Sequence, residues 1–285
     1  MDVVVHGGAG GTPEDPRRRQ AVLDEAAEAG AMADRPVDAV VEAVRILESS
    51  PTFNAGVGSA VQSDGVPRTD AGLMTSDGTA GAACSMPGVE HAVDVARVVA
   101  EETPHVLVAG ERAVALAGAF GVETDADLWC ERTRERWADL DDRPPNDDPR
   151  THLEWIDGKF GGSDTVGAVA RDGEALATAT STGGRWLALA GRVGDVPQIG
   201  GGFYCSPAGG ASATGAGEDI AKATLARRAV RHLEDGLDAA AAADRALDEF
   251  DELTGSTAGL VVLDADGNAG RAFNSDAMQT ATRRS

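Results

Sequence analysis

The chain has 285 residues, 42% of them hydrophobic, with 36 glycines and a formal net charge of −22 from 47 Asp+Glu against 25 Lys+Arg. This length can bury a sizeable core, as one large α/β domain or two smaller ones. The acidic balance argues against nucleic acid, which wants a basic surface, and no apolar run nears the roughly 18 residues that cross a bilayer. A carboxylate-rich surface whose only lysines are Lys159 and Lys222 suits a concentrated-salt cytoplasm, where screening removes the self-repulsion. Cys84, Cys130 and Cys205 have no metal-ligand spacing, and the N-terminus lacks a basic leader. Both features predict reduced thiols in a cytoplasmic protein.

In chain order, Val3–His6 reads as a short buried strand that ends in a glycine turn, "HGGAGG". Two helices follow, and in the second Val37, Val40, Val41, Val44 and Leu47 fall on one apolar face. From Phe53 to about Met86, Gly, Ser and Thr predict strands and turns; helical patterns return over about 90–102, 110–119 and 128–139. The stretch "DLDDRPPNDDPRTHLEWIDGKFGGSD" is the candidate linker, covering about 140–164 and expected to be mobile. Beyond it, Thr165–Ala170 and Ala175–Thr180 flank an Asp-Gly turn, as do Leu260–Leu263 and Ala269–Phe273. Between these hairpins, Ala221, Leu225, Ala229 and Leu233 predict one long helix that stops at Gly236. Neither half has an obvious core of its own. The reading is therefore one α/β domain over 1–285, with sheets sandwiched between helical layers.

Several chemistries are weak here. "HGGAGG" lacks the Gly-Lys-Ser/Thr ending of a phosphate loop and the dinucleotide-binding spacing, so a turn after a strand explains it better. Ser212 lies in "GGASATGAG", which is no nucleophile elbow, and the histidines are scattered. The second half is more coherent. Arg192 in "GRVGD" offers a fork for an α-carboxylate, and Asp195 can hold an α-ammonium, although the two also read as a surface ion pair. Thr214 and the Gly215 N–H, just before a helix N-terminus, can stabilise an oxyanion; a plain strand end and cap is the bland reading. A nucleophile is still needed. Thr165 supplies both nucleophile and base if the chain is cut between Asp164 and Thr165, because an α-amine titrates at about 7.7–8.0. Before the cut that nitrogen is an amide without useful basicity.

Taken in order, "HGGAG", "LESSPTFNAGVGSAV", "DTVGAVARDGEALATATSTGG", "GRVGD" and "TGAGE" resemble the plant-type asparaginase and isoaspartyl peptidase family of N-terminal-nucleophile hydrolases. The resemblance covers nearly the whole chain. It implies a four-layer αββα sandwich, self-cleaved into an α subunit (1–164) and a β subunit (165–285), with Thr165 as the nucleophile. It implies that Thr182 steadies the nucleophile and its amine, and that Thr214 and Gly215 form the oxyanion hole. Arg192, Asp195, Gly184 and Gly217 would bind substrate, and Asn54 would support the nucleophile region. Backbone carbonyls of Leu47, Glu48, Ser50, Phe53, Ala55 and Val57 would hold a structural sodium ion, with no cofactor for catalysis. The implied substrates are asparagine and isoaspartyl dipeptides, and the implied assembly is a homodimer of processed protomers. Two departures stand out: Asp164 replaces the usual Gly before the nucleophile, as in glycosylasparaginases and taspases. In addition, "RWLALAGRVGD" lacks the Asn-Lys pair that often follows "TSTGG". The alternatives are a glycosylasparaginase- or taspase-like hydrolase and, from another class, a noncatalytic nucleotide-binding protein using "HGGAGG".

Overall fold

The computed structural model describes residues 1–145, 148–162 and 165–284. The first half contains β1 (Asp2–Gly10), α1 (Pro16–Ala31), α2 (Pro36–Glu48), β2 (Thr69–Thr75), β3 (Ala80–Met86) and α3 (Ala92–Glu102). It continues with β4 (Leu107–Ala109), α4 (Gly110–Ala119), α5 (Glu131–Ala138) and α6 (Pro149–Ile156). The second half opens with the hairpin β5 (Val166–Asp172) and β6 (Ala175–Thr182), then β7 (Phe203–Ser206) and β8 (Gly209–Gly215). Helices α7 (Gly217–Ala223), α8 (Leu225–Glu234) and α9 (Ala239–Thr254) precede β9 (Ala258–Asp264), β10 (Ala269–Phe273) and β11 (Ala277–Arg283).

The strands form two sheets, ordered β11-β1-β5-β6-β2-β3-β4 and β10-β9-β8-β7. All pairings are antiparallel except β3 with β4. The sheets pack face to face: β1, β5 and β6 of the larger one lie against β8 and β9 of the smaller. Helices α1, α2 and α3 cover the outer face of the large sheet, and α8 and α9 cover the small one. The result is a four-layer αββα sandwich. Its two main cores lie under the helices, one around Leu23, Val40, Val44 and Leu47, the other around Leu225, Val230 and Phe250. Strands buried on both faces explain why β5, β6 and β8 carry near-continuous runs of small apolar and hydroxyl residues.

Four sequence expectations need correction. "HGGAGG" is not a turn after a strand: β1 runs on to Gly10, pairing Ala9 with Met278 and Gly10 with Ala277 after a register shift between His6 and Ala9. A bulge with Gly8 at φ +109° re-aims the strand, so the glycines serve the ladder and the nucleotide-loop alternative loses its loop. The long helix is two helices, broken at Thr224, which sits at φ 53°. Its hydroxyl and Arg228 Nε both donate to the Ala223 carbonyl, taking the oxygen that a continuous helix would use. The linker contains a helix, α6, started by Asp148 accepting from the Arg150 N–H with Pro149 at the first position, and anchored by buried Trp155. Finally, β11 escaped the sequence reading because its mixed, half-buried residues show no clean alternation of apolar and polar positions. Cys84, Cys130 and Cys205 are free thiols, and among the described residues no helix is long and apolar enough to cross a membrane.

Candidate active site

Thr165 immediately precedes β5, in the middle of the large sheet, and is 3% exposed. Val166 pairs with Ser181, which places Thr165 and Thr182 at adjoining ends of β5 and β6. Asp164 lies outside the described residues. Thr182 is buried and accepts from the Gly184 N–H at 3.1 Å, turning the chain sharply after the strand. Asn54 locks that turn from the other side. Its Oδ1 accepts from Ala60 N–H (2.7 Å), its Nδ2 donates to the Gly184 carbonyl (2.6 Å), and its own carbonyl accepts from Gly183 N–H (2.8 Å). Thr214 and Gly215 close β8 in the facing sheet, where the Ala9 N–H reaches Thr214 Oγ1 at 3.3 Å. Strand ends from both sheets therefore converge on one edge of the sandwich. A cleft of about 440 Å³ opens there, lined by Ala9, Gly10, Gly162, Arg185, Gly215 and Ala216 among others.

The charged part of the site sits beside Gly217. Arg192 does not pair with Asp195, as the surface ion-pair reading has it; its Nε donates to Glu218 Oε1 at 2.8 Å. Arg185 Nη1 reaches the other carboxylate oxygen at 3.1 Å. Burial works against the Glu218 charge, but the Arg192 bond and charge, with help from Arg185, outweigh it and bring its pKa down to about 2. Glu218 thus holds Arg192 rigidly while leaving part of its fork unspent. Among the described residues, Arg192 Nη2 and Asp195 Oδ2 are buried without a hydrogen-bond partner. A Cβ at Gly217 would lie 2.6 Å from Asp195 Oδ1 and 2.8 Å from Arg192 Nη2, so both side chains pack against this position and only glycine fits there without a shift.

Asp195 is 4% exposed, and burial dominates its titration. A local backbone bond and Arg192 oppose the burial, while Glu218 and Asp70 add to it, and the pKa rises to about 7. Asp70, opposite Thr182 in the β2–β6 register, is likewise pushed up to about 6 by burial, against the Ser85 N–H bond and Arg192. Buried, unpaired donor and acceptor groups are costly. Perturbed, unpaired groups of this kind concentrate at functional sites.

Three further residues shape the site without being visible as functional in the sequence. His6 is fully buried between the sheets, with Nε2 2.7 Å from Ser212 Oγ, which in turn is 2.7 Å from Thr180 Oγ1. Burial drives its pKa down to about 3, against the neighbouring Thr165 backbone, so the ring is neutral. The pair is a Ser–His contact, yet both side chains are 0% exposed and no substrate reaches them. The Glu48 side chain is buried and accepts from Ser181 Oγ (2.5 Å) and Val93 N–H (3.1 Å), next to the Thr182 strand end. Burial raises its pKa against bonds from His91 and Ser181.

The loop expected to hold sodium winds back on itself after α2. Val57 N–H donates to the Glu48 carbonyl at 2.8 Å, Phe53 N–H to that of Ser50 at 3.2 Å, and a Cβ at Gly56 would meet the Glu48 oxygen at 2.2 Å. Carbonyl oxygens are the donors a hard cation takes, and each retains a second lone pair. Of the carbonyls that the resemblance implies for sodium (Leu47, Glu48, Ser50, Phe53, Ala55 and Val57), those of Leu47, Glu48 and Ser50 each already accept a backbone N–H.

The layer order defines the sandwich of the N-terminal-nucleophile hydrolases. More narrowly, residues 1–285 match the family model described as asparaginase, and the chain belongs to that family. It is 39% identical over 297 residues to the plant-type L-asparaginase of Pyrococcus abyssi, covering 98% of this chain and 95% of the relative. It is 41% identical over 287 residues to the plant-type L-asparaginase of Pyrobaculum calidifontis, covering 97% and 94%. The isoaspartyl peptidase of Salmonella typhimurium is 37% identical over 295 residues, covering 98% and 94%.

Proposed function

We propose that the protein is a self-processing threonine amidohydrolase that cleaves β-aspartyl amides, asparagine and isoaspartyl dipeptides, to release aspartate. The observation that carries this reading is the unspent pair beside Gly217: Arg192 Nη2 and Asp195 Oδ2 are buried without a hydrogen-bond partner among the described residues, on two side chains that both approach that glycine. That pair complements a free α-carboxylate and α-ammonium on one carbon. The names of the relatives agree with it.

The chain is cut between Asp164 and Thr165, giving an α subunit of 1–164 and a β subunit of 165–285. The freed Thr165 amine takes the proton from its own hydroxyl, whose oxygen attacks the substrate's side-chain carbonyl. Arg192 and Asp195 hold the α-groups, which fixes that carbonyl over Thr165. Thr214 and the Gly215 N–H stabilise the oxyanion, and Thr182 orients the nucleophile. The amine gives its proton to the departing nitrogen, leaving an aspartyl ester on Thr165; water hydrolyses the ester and regenerates the hydroxyl. Ammonia release from L-asparagine and aspartate release from β-aspartyl dipeptides test the reading. Arg192→Ala is expected to lose most kcat/KM on both, and normal kcat/KM in that variant would remove the clamp. Turnover of a glycosylated asparagine or a protein substrate in place of these would favour a glycosylasparaginase or taspase.

A further inference from the structure

The clamp accounts for the aspartyl half of a substrate and says nothing of the half that leaves. A second cleft, of about 270 Å³, adjoins the first, and the two share Gly10, Gly11 and Gly162; Gly162 stands three residues before Thr165. It is bordered by Asn54, Ala60 and Trp186 and by two arginines one helical turn apart on α5, Arg132 and Arg136. Arg136 lies with its guanidinium carbon 4.2 Å over the Trp186 ring, and Arg132 has a long contact to the Gly58 carbonyl at 3.4 Å. Neither has a carboxylate partner among the described residues. Their neighbour Arg134, by contrast, pairs with Asp127, and Arg68, Arg97, Arg185 and Arg228 all pair with acids. In a chain with 47 acidic residues, two like charges stacked on one helix face over a cleft mark a place kept for an outside anion. Burial and the Arg132 charge both lower the Arg136 pKa, a strain that a bound carboxylate would relieve.

We propose that this second cleft is the leaving-group subsite, in which Arg132 and Arg136 bind the α-carboxylate of the amino acid released from a β-aspartyl dipeptide. The inference rests on the function proposed above and names the preferred substrate class. In such a dipeptide the leaving α-carboxylate stands two bonds from the scissile nitrogen, so it must lie close to the nucleophile. Trp186 gives the departing side chain an apolar wall. Asparagine, whose leaving group is ammonia, gains nothing from the subsite, and a longer isoaspartyl peptide has an amide where the carboxylate is needed.

The test is kcat/KM of the processed enzyme on three substrates: L-asparagine, a β-aspartyl dipeptide with a free C-terminus, and the same dipeptide with its C-terminus amidated. Wild type is expected to favour the free acid over the amide by about tenfold or more. Arg132→Gln/Arg136→Gln should lose that factor on the free acid while changing little on asparagine and the amide. Arg136→Lys should recover part of it, and Arg134→Gln should behave as wild type. Equal wild-type rates on acid and amide overturn the proposal whether or not the double variant folds. So does a double variant that loses as much on asparagine as on the dipeptide. Those results leave the amidohydrolase reading standing; a processed wild type inactive on all three substrates sinks both.

Discussion

Gly217→Ala separates the clamp from the fold. Gly217 is the first residue of α7, and alanine costs a helix nothing there, being favoured over glycine by up to about 1 kcal/mol in helix interiors. The added methyl meets Asp195 Oδ1 at 2.6 Å and Arg192 Nη2 at 2.8 Å, with the Asp195 backbone nitrogen at an ordinary 3.5 Å. Both are tighter than real contacts allow, and neither partner can step aside cheaply. Glu218 holds Arg192, and Asp195 is walled in at 4% exposure. The methyl therefore displaces the Arg192 guanidinium and the Asp195 carboxylate from the positions in which the proposed clamp works. Weakening one charged hydrogen bond costs about 1.5–3 kcal/mol. At about 1.36 kcal/mol per tenfold, kcat/KM on asparagine should fall about 10- to 150-fold. The assay is steady-state ammonia release, with Tm by calorimetry and a denaturing gel to confirm processing. Normal processing and a Tm within a few degrees of wild type, alongside the kinetic loss, are the expected set. An unchanged kcat/KM in a processed, stable variant refutes the reasoning, because the groups at Gly217 would then not be where substrate binds.

Asp195 predicts a pH signature. Its folded pKa of about 7 lies above the ordinary aspartate value of about 3.8, so its stabilising contribution is full below pH 4, fades between about 4 and 7, and is gone above 7. Asp195→Asn should therefore raise Tm at pH 8 and leave it unchanged near pH 4, while aspartate binding, measured by calorimetry, is lost at pH 8; a Tm drop at pH 8 contradicts this. In wild type, aspartate should bind more weakly as pH falls below about 7, and a flat profile from 5 to 8 would show that no buried carboxyl titrates there. Gly167→Ala would put a Cβ 2.0 Å from Ser212 Oγ and 2.6 Å from His6 Nε2, two residues after Thr165 on β5. Such overpacking costs about 1–3 kcal/mol, so a lower Tm and slowed self-cleavage are expected, and wild-type behaviour in both would remove His6 and Ser212 as the support of that strand.

The sandwich was legible because its hairpins carry Asp-Gly turns and its helices carry one-sided apolar faces. The edge strand β11 and the short β4 were not, since an edge strand takes its partner from a distant part of the chain. The break at Thr224 was hidden because the four-residue apolar spacing continues through it, and only the left-handed residue interrupts the axis. Within the site, motifs in sequence order singled out Thr165, Thr182, Arg192, Asp195 and Thr214, each beside glycines that the geometry needs. Glu218 was missed although it ends the quoted "TGAGE": an acid in the first turn of a helix has an ordinary reason to be there, favouring the helix dipole. His6 and Ser212 lie 206 residues apart, and nothing local announces that they touch. Arg132 and Arg136 fall in the helical pattern over about 128–139, but only the fold shows that they border a cleft.

In the proposed mechanism Thr165 becomes a chain terminus and acts from there. N-terminal sequencing of the purified, active protein tests it most directly, with Thr165→Ala beside it. Two fragments, the smaller beginning Thr-Val-Gly-Ala, with the variant a single inactive full-length band, is the predicted result. An intact chain that hydrolyses asparagine, or an active Thr165→Ala variant, would contradict it.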